Sequence, residues 1–212
     1  MAKTKLLPKS RLPKSLRAEA TMVAKTKWTY PGMDVYAPQE KVIRILFDKI
    51  FPTNIDMNEV LTKASILNKF YSTNIWAIST LAKRMTALNI DKDLQAGKIT
   101  VVDQIANLLP RKNYSFASKY CANHNPNAYP INDSLVRGYL AKVIAKGNLQ
   151  GFDGAKSSLD EKMRLDYAFY KEVYDAFMQQ YHLTSLGYRK VDWYIWTACK
   201  CKLNNLNLFK LI

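Results

Sequence analysis

A helical spacing of apolar residues recurs along most of this chain and constrains its fold more than any other feature. In segment 58–70, for example, Val60, Ala64 and Leu67 follow one another at intervals of three or four residues, so they share one helical face. The same spacing predicts helices over 39–51, 58–70, 73–88, 101–109, 115–124, 133–146, 158–181 and 190–202. No segment shows the alternation of a half-buried strand. The sequence therefore predicts an all-α fold, a compact multi-helix domain of seven or eight helices.

The charge balance points to a polyanionic partner. The 212 residues include 32 Lys and Arg against 17 Asp and Glu, which leaves a net charge of +15. Lys and Arg bind nucleic acids by replacing the counterions condensed around phosphates. A protein that is merely basic is the simpler interpretation, but charge and aromatic content together favour nucleic acid.

The positive charge is concentrated at the N-terminus, where residues 1–30 hold eight basic side chains and one acidic residue, Glu19. Two prolines and little apolar periodicity accompany them, so we predict a basic, flexible arm over 1–30 and a helical domain over 31–212. The arm either follows a phosphate backbone or only keeps the protein in solution. Its basic residues are Lys3, Lys5, Lys9, Arg11, Lys14, Arg17, Lys25 and Lys27.

Cysteine and histidine usage excludes several kinds of site. Three cysteines, Cys121, Cys199 and Cys201, do not form a disulfide framework and fall short of the four thiolates that an iron–sulfur cluster normally takes. His124 and His182 lie too far apart for a zinc motif. No apolar run has the length of a signal peptide or a membrane span. We expect a cytoplasmic monomer that needs no membrane, metal or cofactor.

The helices at 101–109 and 115–124 are joined by a short connection, so that residues 101–124 form a predicted hairpin of two helices. A tight turn between two helices can aim backbone N–H groups at one anion, and the N-terminal end of the next helix adds to the attraction. Arg111 and Lys112 supply charge, and Asn113 can adopt a positive φ in place of glycine. The segment 109–114 therefore predicts either a phosphate-binding turn or an ordinary αα-hairpin.

Asp133 follows this hairpin by about twenty residues, at the start of the helix predicted over 133–146. One interpretation is a carboxylate held in place for chemistry on nucleic acid. The other is a helix N-cap, a position to which Asp is well suited. Asp133 can fill both roles.

The order of these segments resembles the HhH-GPD superfamily of DNA glycosylases, over roughly residues 55–145. The segment 109–117, Leu-Pro-Arg-Lys-Asn-Tyr-Ser-Phe-Ala, looks like the family's hairpin, which usually reads Leu-Pro-Gly-Val-Gly-Arg-Lys-Thr-Ala. The segment 130–136, Pro-Ile-Asn-Asp-Ser-Leu-Val, is similar to the family's Pro-Val-Asp-Thr-His-Val with one extra residue. The segment 66–72 resembles its wedge helix. Archaeal oxidised-guanine glycosylases, which also lack a cluster, are the nearest general type.

The resemblance implies an enzyme that flips a damaged or modified base out of double-stranded DNA and excises it. Asp133 would be the catalytic carboxylate, stabilising the positive charge that develops on the sugar. Both hairpin glycines are replaced here, by Arg111 and Asn113, and Ser115 stands where bifunctional members have a lysine. The resemblance therefore implies a monofunctional enzyme that leaves an abasic site. Lys119, one turn later, is an alternative amine.

The remaining predicted site residues surround these two motifs. The resemblance implies a base pocket or wedge at Asn68, Lys69, Phe70, Tyr71 and Trp76, although core packing is the simpler interpretation of each aromatic taken singly. It implies phosphate contacts at Arg111, Lys112, Asn113, Tyr114 and Ser115, with a structural monovalent or divalent cation at the hairpin left open. His124 either donates to DNA or is an ordinary surface histidine.

Base excision is therefore the leading interpretation of the sequence. A non-catalytic helix–hairpin–helix DNA-binding protein is the alternative. The base is left open, as is the setting, which is either DNA repair or defence against phage with modified DNA.

Overall fold

Side-chain caps define the beginnings of several helices. The computed structural model describes residues 15–212, and within that range the chain is all-helical and has no strand. Ser15, Asp56, Asn113, Asp133 and Asp166 each accept a hydrogen bond from a backbone N–H in the first turn of the helix that follows. The predicted all-α, multi-helix class is thus confirmed for these residues.

The described residues form eleven α-helices. They are α1 Leu16–Thr26, α2 Ala37–Ile45, α3 Met57–Phe70, α4 Ile78–Thr86, α5 Asp91–Gln95, α6 Thr100–Ala106, α7 Tyr114–His124, α8 Ser134–Ala145, α9 Lys156–Leu165, α10 Tyr167–Gln180 and α11 Gly187–Lys200. A π-helix, Leu46–Ile50, follows α2, and a 3-10 helix, Asn207–Leu211, follows α11. None of these helices is both long and apolar enough to cross a membrane.

The chain divides into two compact units. The first combines Met1–Ala37 with Asp133–Ile212, and the second is Pro38–Asn132. In the second unit α3 packs on α4 and α7, and α6 packs on α7. Val60, Leu67, Met85 and Phe116 are buried there, at most 1% exposed. This unit contains the hairpin and the loop before α4.

In the first unit α8 packs on α9 and α11, and α1 packs on α11. The Glu19 carboxylate on α1 is buried and accepts hydrogen bonds from the Tyr194 hydroxyl (2.6 Å) and from the backbone N–H of Asn207 (2.8 Å). Residues 16–26, which the sequence assigns to the basic arm, therefore form a packed helix. Lys3, Lys5, Lys9, Arg11 and Lys14 of that arm lie outside the described residues.

Two predicted helix boundaries are wrong. The helix expected over 73–88 begins only at Ile78. The Asn68 side chain accepts hydrogen bonds from Thr73 and Ile75 and so holds these two residues in a non-helical conformation. The helix expected over 158–181 is two helices, α9 and α10. They meet at Asp166, whose extended backbone breaks the first helix and whose carboxylate caps the second by accepting from Phe169 N–H at 2.9 Å.

Candidate functional site

The loop between α3 and α4, residues 71–77, is held in one conformation by Asn68. The Asn68 amide oxygen accepts from the Thr73 hydroxyl (2.8 Å) and from Ile75 N–H (2.9 Å), and the amide nitrogen donates to the Ile75 carbonyl (2.9 Å). Ser72 and Asn74 have φ values of 49° and 55°, in the left-handed region that few non-glycine residues adopt. The surrounding hydrogen bonds therefore determine the loop's shape against the local backbone preference.

Trp76 lies at the end of this loop, and its side chain is 97% exposed. Tryptophan is normally among the more buried residues, because exposing its ring to water is unfavourable. Ile75, the residue before it, is 8% exposed and anchored by Asn68. A fixed backbone thus presents an indole ring to solvent, where it can stack on a flat partner.

The hairpin, residues 107–113, is joined directly to that loop. The Asn113 amide nitrogen donates to the Thr73 carbonyl (3.1 Å), and its amide oxygen caps α7 by accepting from Phe116 N–H (2.9 Å). The predicted positive φ of Asn113 is wrong, since its φ is −131°, and no residue from 107 to 113 has a positive φ. The demands of the cap explain the difference, because an N-cap residue takes a non-helical, negative φ. An alternating backbone nest is therefore absent from this hairpin.

Cationic side chains surround the loop and the hairpin. Arg111 and Lys112 are exposed at the hairpin and make no ion pair with the residues that the structure describes. Lys69 is exposed at the end of α3. Arg84 of α4 donates to the Leu108 carbonyl and so ties the hairpin to α4. We call the loop 71–77 and the hairpin 107–113, with these cations, the Trp76 surface.

Lys119 and Ser115 form a hydrogen-bonded pair on α7. The Lys119 amine is 2.7 Å from the Ser115 hydroxyl and 5.4 Å from the centre of the Tyr71 ring, and the Lys119 side chain is 5% exposed. Phe70 and Tyr71 are half-buried. Tyr114 is buried, and its hydroxyl donates to Asp103 at 2.7 Å. The structure therefore places Ser115 and Lys119 together, and Tyr114 inside the packed helices.

Asp133 belongs to the other unit, where it is the N-cap of α8. Its Oδ1 accepts from Val136 N–H at 2.9 Å, and the side chain is half-buried. The capping role that the sequence left open is therefore present. The carboxylate also raises the pKa of Tyr170, Tyr174 and Cys199, after the larger effect of their own burial. Its catalytic role stays a prediction.

The sequence missed a buried polar network centred on Lys63 of α3. The Lys63 amine, 0% exposed, donates to the Phe51 carbonyl (3.0 Å) and to the Asn54 amide oxygen (2.8 Å), and it lies 3.3 Å from His124 Nε2. Burial lowers the pKa of Lys63 to about 8. The Tyr120 hydroxyl also donates to the Asn54 amide oxygen (2.5 Å).

His124 is the partner of Lys63 on α7. Burial and then the nearby Lys63 charge lower the pKa of His124 to about 3. A ring nitrogen that faces an ammonium group must accept, so His124 is neutral with its proton on Nδ1. The interpretation of His124 as an ordinary surface histidine is therefore wrong, because its Nε2 faces the buried Lys63 amine, while a contact of His124 with DNA stays a prediction. A signal was present, because Lys63 falls on the apolar stripe of α3 between Val60 and Leu67.

Metal ligands do not cluster in the part of the chain that the structure describes. Within residues 15–212, no three His, Cys, Asp or Glu side chains come together in a way that could hold a metal ion.

Comparison with known proteins gives the chain a family. The HI_0787_N family, described as an N-terminal domain, matches residues 20–128, just over half of the chain, and the protein belongs to it. A protein of Haemophilus influenzae (strain ATCC 51907 / DSM 11121 / KW20 / Rd), named "Uncharacterized protein", is 35% identical over 146 residues. That match covers 66% of each chain, so this chain spans slightly less than two thirds of the relative's length. No solved structure matches the chain. The family match includes the whole Trp76 surface and ends before Asp133.

Proposed function

We propose that this protein binds DNA through the Trp76 surface. The observation that carries the proposal is an indole that is 97% exposed on a loop pinned by Asn68 and by Asn113 of the neighbouring hairpin. Aromatic rings held at a surface bind nucleic acids by stacking on bases or by entering between base steps. A rigid loop favours this use, because little conformational freedom is lost on binding.

The charges near Trp76 support the same partner. Arg111 and Lys112 are exposed on the hairpin that Asn113 joins to the Trp76 loop, and Lys69 is exposed in the last turn of α3, before that loop. An exposed aromatic ring, with exposed cations on the segments next to its loop, matches a strand whose bases and phosphates alternate. The net charge of +15 adds a long-range attraction to the same partner.

The reaction that we propose on the bound DNA is base excision, by analogy with the HhH-GPD glycosylases that the sequence resembles. In this proposal Asp133 stabilises the sugar cation and activates water, and Ser115 in place of a lysine makes the enzyme monofunctional. The fixed, half-buried Asp133 carboxylate supports the first role, since its helix cap restricts the carboxylate's orientation. The alternative is binding without catalysis, which the missing nest in the hairpin favours.

Binding is tested by fluorescence anisotropy with a labelled duplex and with the same strand alone. Trp76→Ala should weaken binding roughly five- to 150-fold, since stacking contributes about 1–3 kcal/mol per base. The matched control is Ile55→Ala, which removes another exposed apolar side chain (72% exposed) from the same unit. Equal affinity of the Trp76→Ala variant and the parent would refute the proposed surface.

The contribution of the hairpin charges is tested with a double variant and a matched control. Arg111→Gln combined with Lys112→Gln should weaken binding. It should also lower the slope of log affinity against log salt concentration by about 1 to 2, because each lost phosphate contact removes about 0.9 from that slope. Lys41→Gln with Lys49→Gln removes two other exposed lysines of the second unit and should have a smaller effect. If the two pairs weaken binding equally, the attraction is a general one and not a property of the hairpin.

Excision is tested with duplexes that carry different modified bases, followed by alkaline cleavage at abasic sites and mass spectrometry of released bases. Asp133→Asn should abolish release while DNA binding and folding persist, because Asn caps helices as well as Asp does. Release at the parent rate by Asp133→Asn would remove Asp133 from the mechanism. Tight binding without product on any duplex would leave the DNA-binding proposal standing and exclude the proposed reaction.

A further inference from the structure

A basic cleft lies in the first unit, which the proposed DNA-binding surface does not use. Its volume is about 660 Å³, which is within the range of small-molecule sites. Lys142, Lys146 and Lys156 line it together with Ala145, Asn204, Phe209 and Ile212. The lysines come from the end of α8 and the start of α9, and the apolar wall comes from the segment after α11.

The apolar wall is held in place by hydrogen bonds to its backbone. The Tyr139 hydroxyl of α8 donates to the Leu208 carbonyl (2.5 Å), and the Asn148 amide donates to the Leu211 carbonyl (2.9 Å). The buried carboxylate of Glu19 accepts from Asn207 N–H at 2.8 Å. The 3-10 helix that carries Phe209 is thus fixed on the same side of α8 as the cleft, and the cleft exists before any ligand arrives.

No acidic side chain balances the positive charge of the residues that line the cleft. All three lysines are exposed, none makes an ion pair within residues 15–212, and no Asp or Glu side chain lines the cleft. Lys142 lies on α8 and Lys146 is the C-cap residue four positions later, whose N–H donates to the Lys142 carbonyl (3.1 Å), so the two side chains are neighbours and their like charges repel. An anion placed between the three ammonium groups would relieve this repulsion.

We propose that this cleft binds a nucleotide, with its phosphates at Lys142, Lys146 and Lys156 and its base against the Phe209 ring. Three mobile ammonium groups match a polyphosphate, which offers several anionic oxygens in one region. The Phe209 side chain is half-buried, so one part of the ring remains available for stacking. Asn204 adds an amide that can bond to the edge of a base. The nucleotide is either free or part of a DNA strand, since both have this chemistry.

The lysine contribution is measured by isothermal titration calorimetry with ATP, pyrophosphate and adenosine, using the full chain. Lys142→Gln, Lys146→Gln and Lys156→Gln combined should weaken ATP and pyrophosphate binding roughly tenfold or more, since hydrogen bonds to charged groups are the strong ones. The control combines Lys25→Gln, Lys190→Gln and Lys200→Gln, which removes three exposed lysines from α1 and α11. The proposal fails if the control weakens binding as much, or if the unmodified protein binds neither ATP, nor pyrophosphate, nor a 5′-phosphorylated oligonucleotide.

The base contribution is measured with Phe209→Ala and Phe209→Leu. Phe209→Ala should weaken ATP binding at least about fivefold, the lower end of an aromatic stacking contribution, while pyrophosphate binding stays unchanged. Equal loss for both probes would show that Phe209 supports the wall and does not stack, and unchanged ATP binding would exclude the base contact. Phe209→Leu keeps the wall apolar and should lose ATP affinity alone.

A 5′-phosphorylated oligonucleotide distinguishes the two sources of the nucleotide. If ATP binds tightly and does not compete with the strand, the ligand is a free nucleotide. If only the strand binds, and the triple lysine variant lowers its salt slope by about 2, the cleft holds a nucleotide of DNA. Trp76→Ala should leave ATP binding unchanged in the first case, and in the second case it should leave the part of the salt slope that depends on the three lysines unchanged. Failure of the DNA-binding proposal is therefore distinguishable from failure of this one. Strand binding that does not respond to the three lysines would overturn the site.

Discussion

Acid should destabilise this protein through His124, and His124→Gln should remove most of that effect. The His124 ring packs edge-on against Phe47, with ring centres 4.8 Å apart, and its Nε2 lies 3.3 Å from the Lys63 amine. Burial and the Lys63 charge lower its pKa to about 3, from an ordinary value of 6.5. Protonation would place a second positive charge beside Lys63 inside the second unit.

The direction of this pH effect depends on whether the folded or the unfolded chain binds the proton more tightly. Between pH 6.5 and 3 the unfolded chain takes up a proton at His124 and the folded chain does not, so the free energy of unfolding falls as the pH falls. Above pH 6.5 both states are neutral and the stabilisation is fully present. A pH of 4.5 lies about two units below the unfolded pKa, so the loss of stability there is roughly 2.7 kcal/mol at about 1.36 kcal/mol per unit.

The assay is urea unfolding, followed by far-UV circular dichroism, at pH 7.5 and pH 4.5. The parent should lose about 2.7 kcal/mol more than His124→Gln on going from the higher to the lower pH, because glutamine does not titrate. His182→Asn is the control, since His182 is exposed and has a positive φ that asparagine tolerates. It should keep the parent's pH dependence. The reasoning is refuted if His124→Gln loses as much stability as the parent over this range.

Three further changes test other parts of the second unit. The pKa of Lys63 is about 8 in the folded protein, against 10.5 in the unfolded chain. Between these two pH values only the unfolded chain holds the proton, so the free energy of unfolding of the parent should rise by up to about 3 kcal/mol. Lys63→Met should not show this rise when its urea unfolding is measured over the same pH range. Asn68→Ala removes the three hydrogen bonds that hold the Trp76 loop, so proteolysis between residues 71 and 77 should accelerate, and DNA affinity should fall towards that of Trp76→Ala. Gly97→Ala should lower the free energy of unfolding by about 1–3 kcal/mol, because Gly97 has a φ of +71° and the new Cβ would lie 2.8 Å from Ala128 Cβ. The control is Gly138→Ala, where a new Cβ would meet no atom within 4 Å.

Local sequence patterns predicted most of the helices, because helical spacing and capping depend on residues three or four apart. The predicted helices at 58–70 and 115–124 agree with α3 and α7 to within a residue, and the cap at Asp133 is present. Periodicity failed at 73–77, where the pattern continues but Asn68 binds Thr73 and Ile75 instead. It failed again over 158–181, where Asp166 interrupts an otherwise suitable spacing.

The sequence alone determined the helical class and the excess of positive charge, and it predicted Trp76, Arg111 and Lys112 as site residues. Only the tertiary structure decided that Trp76 is exposed and that a hydrogen bond from Asn113, 40 residues away, fixes its loop. It alone paired Lys63 with His124 across 61 residues. The physical reason is that exposure and pKa depend on which groups surround a side chain, and those neighbours come from distant parts of the chain.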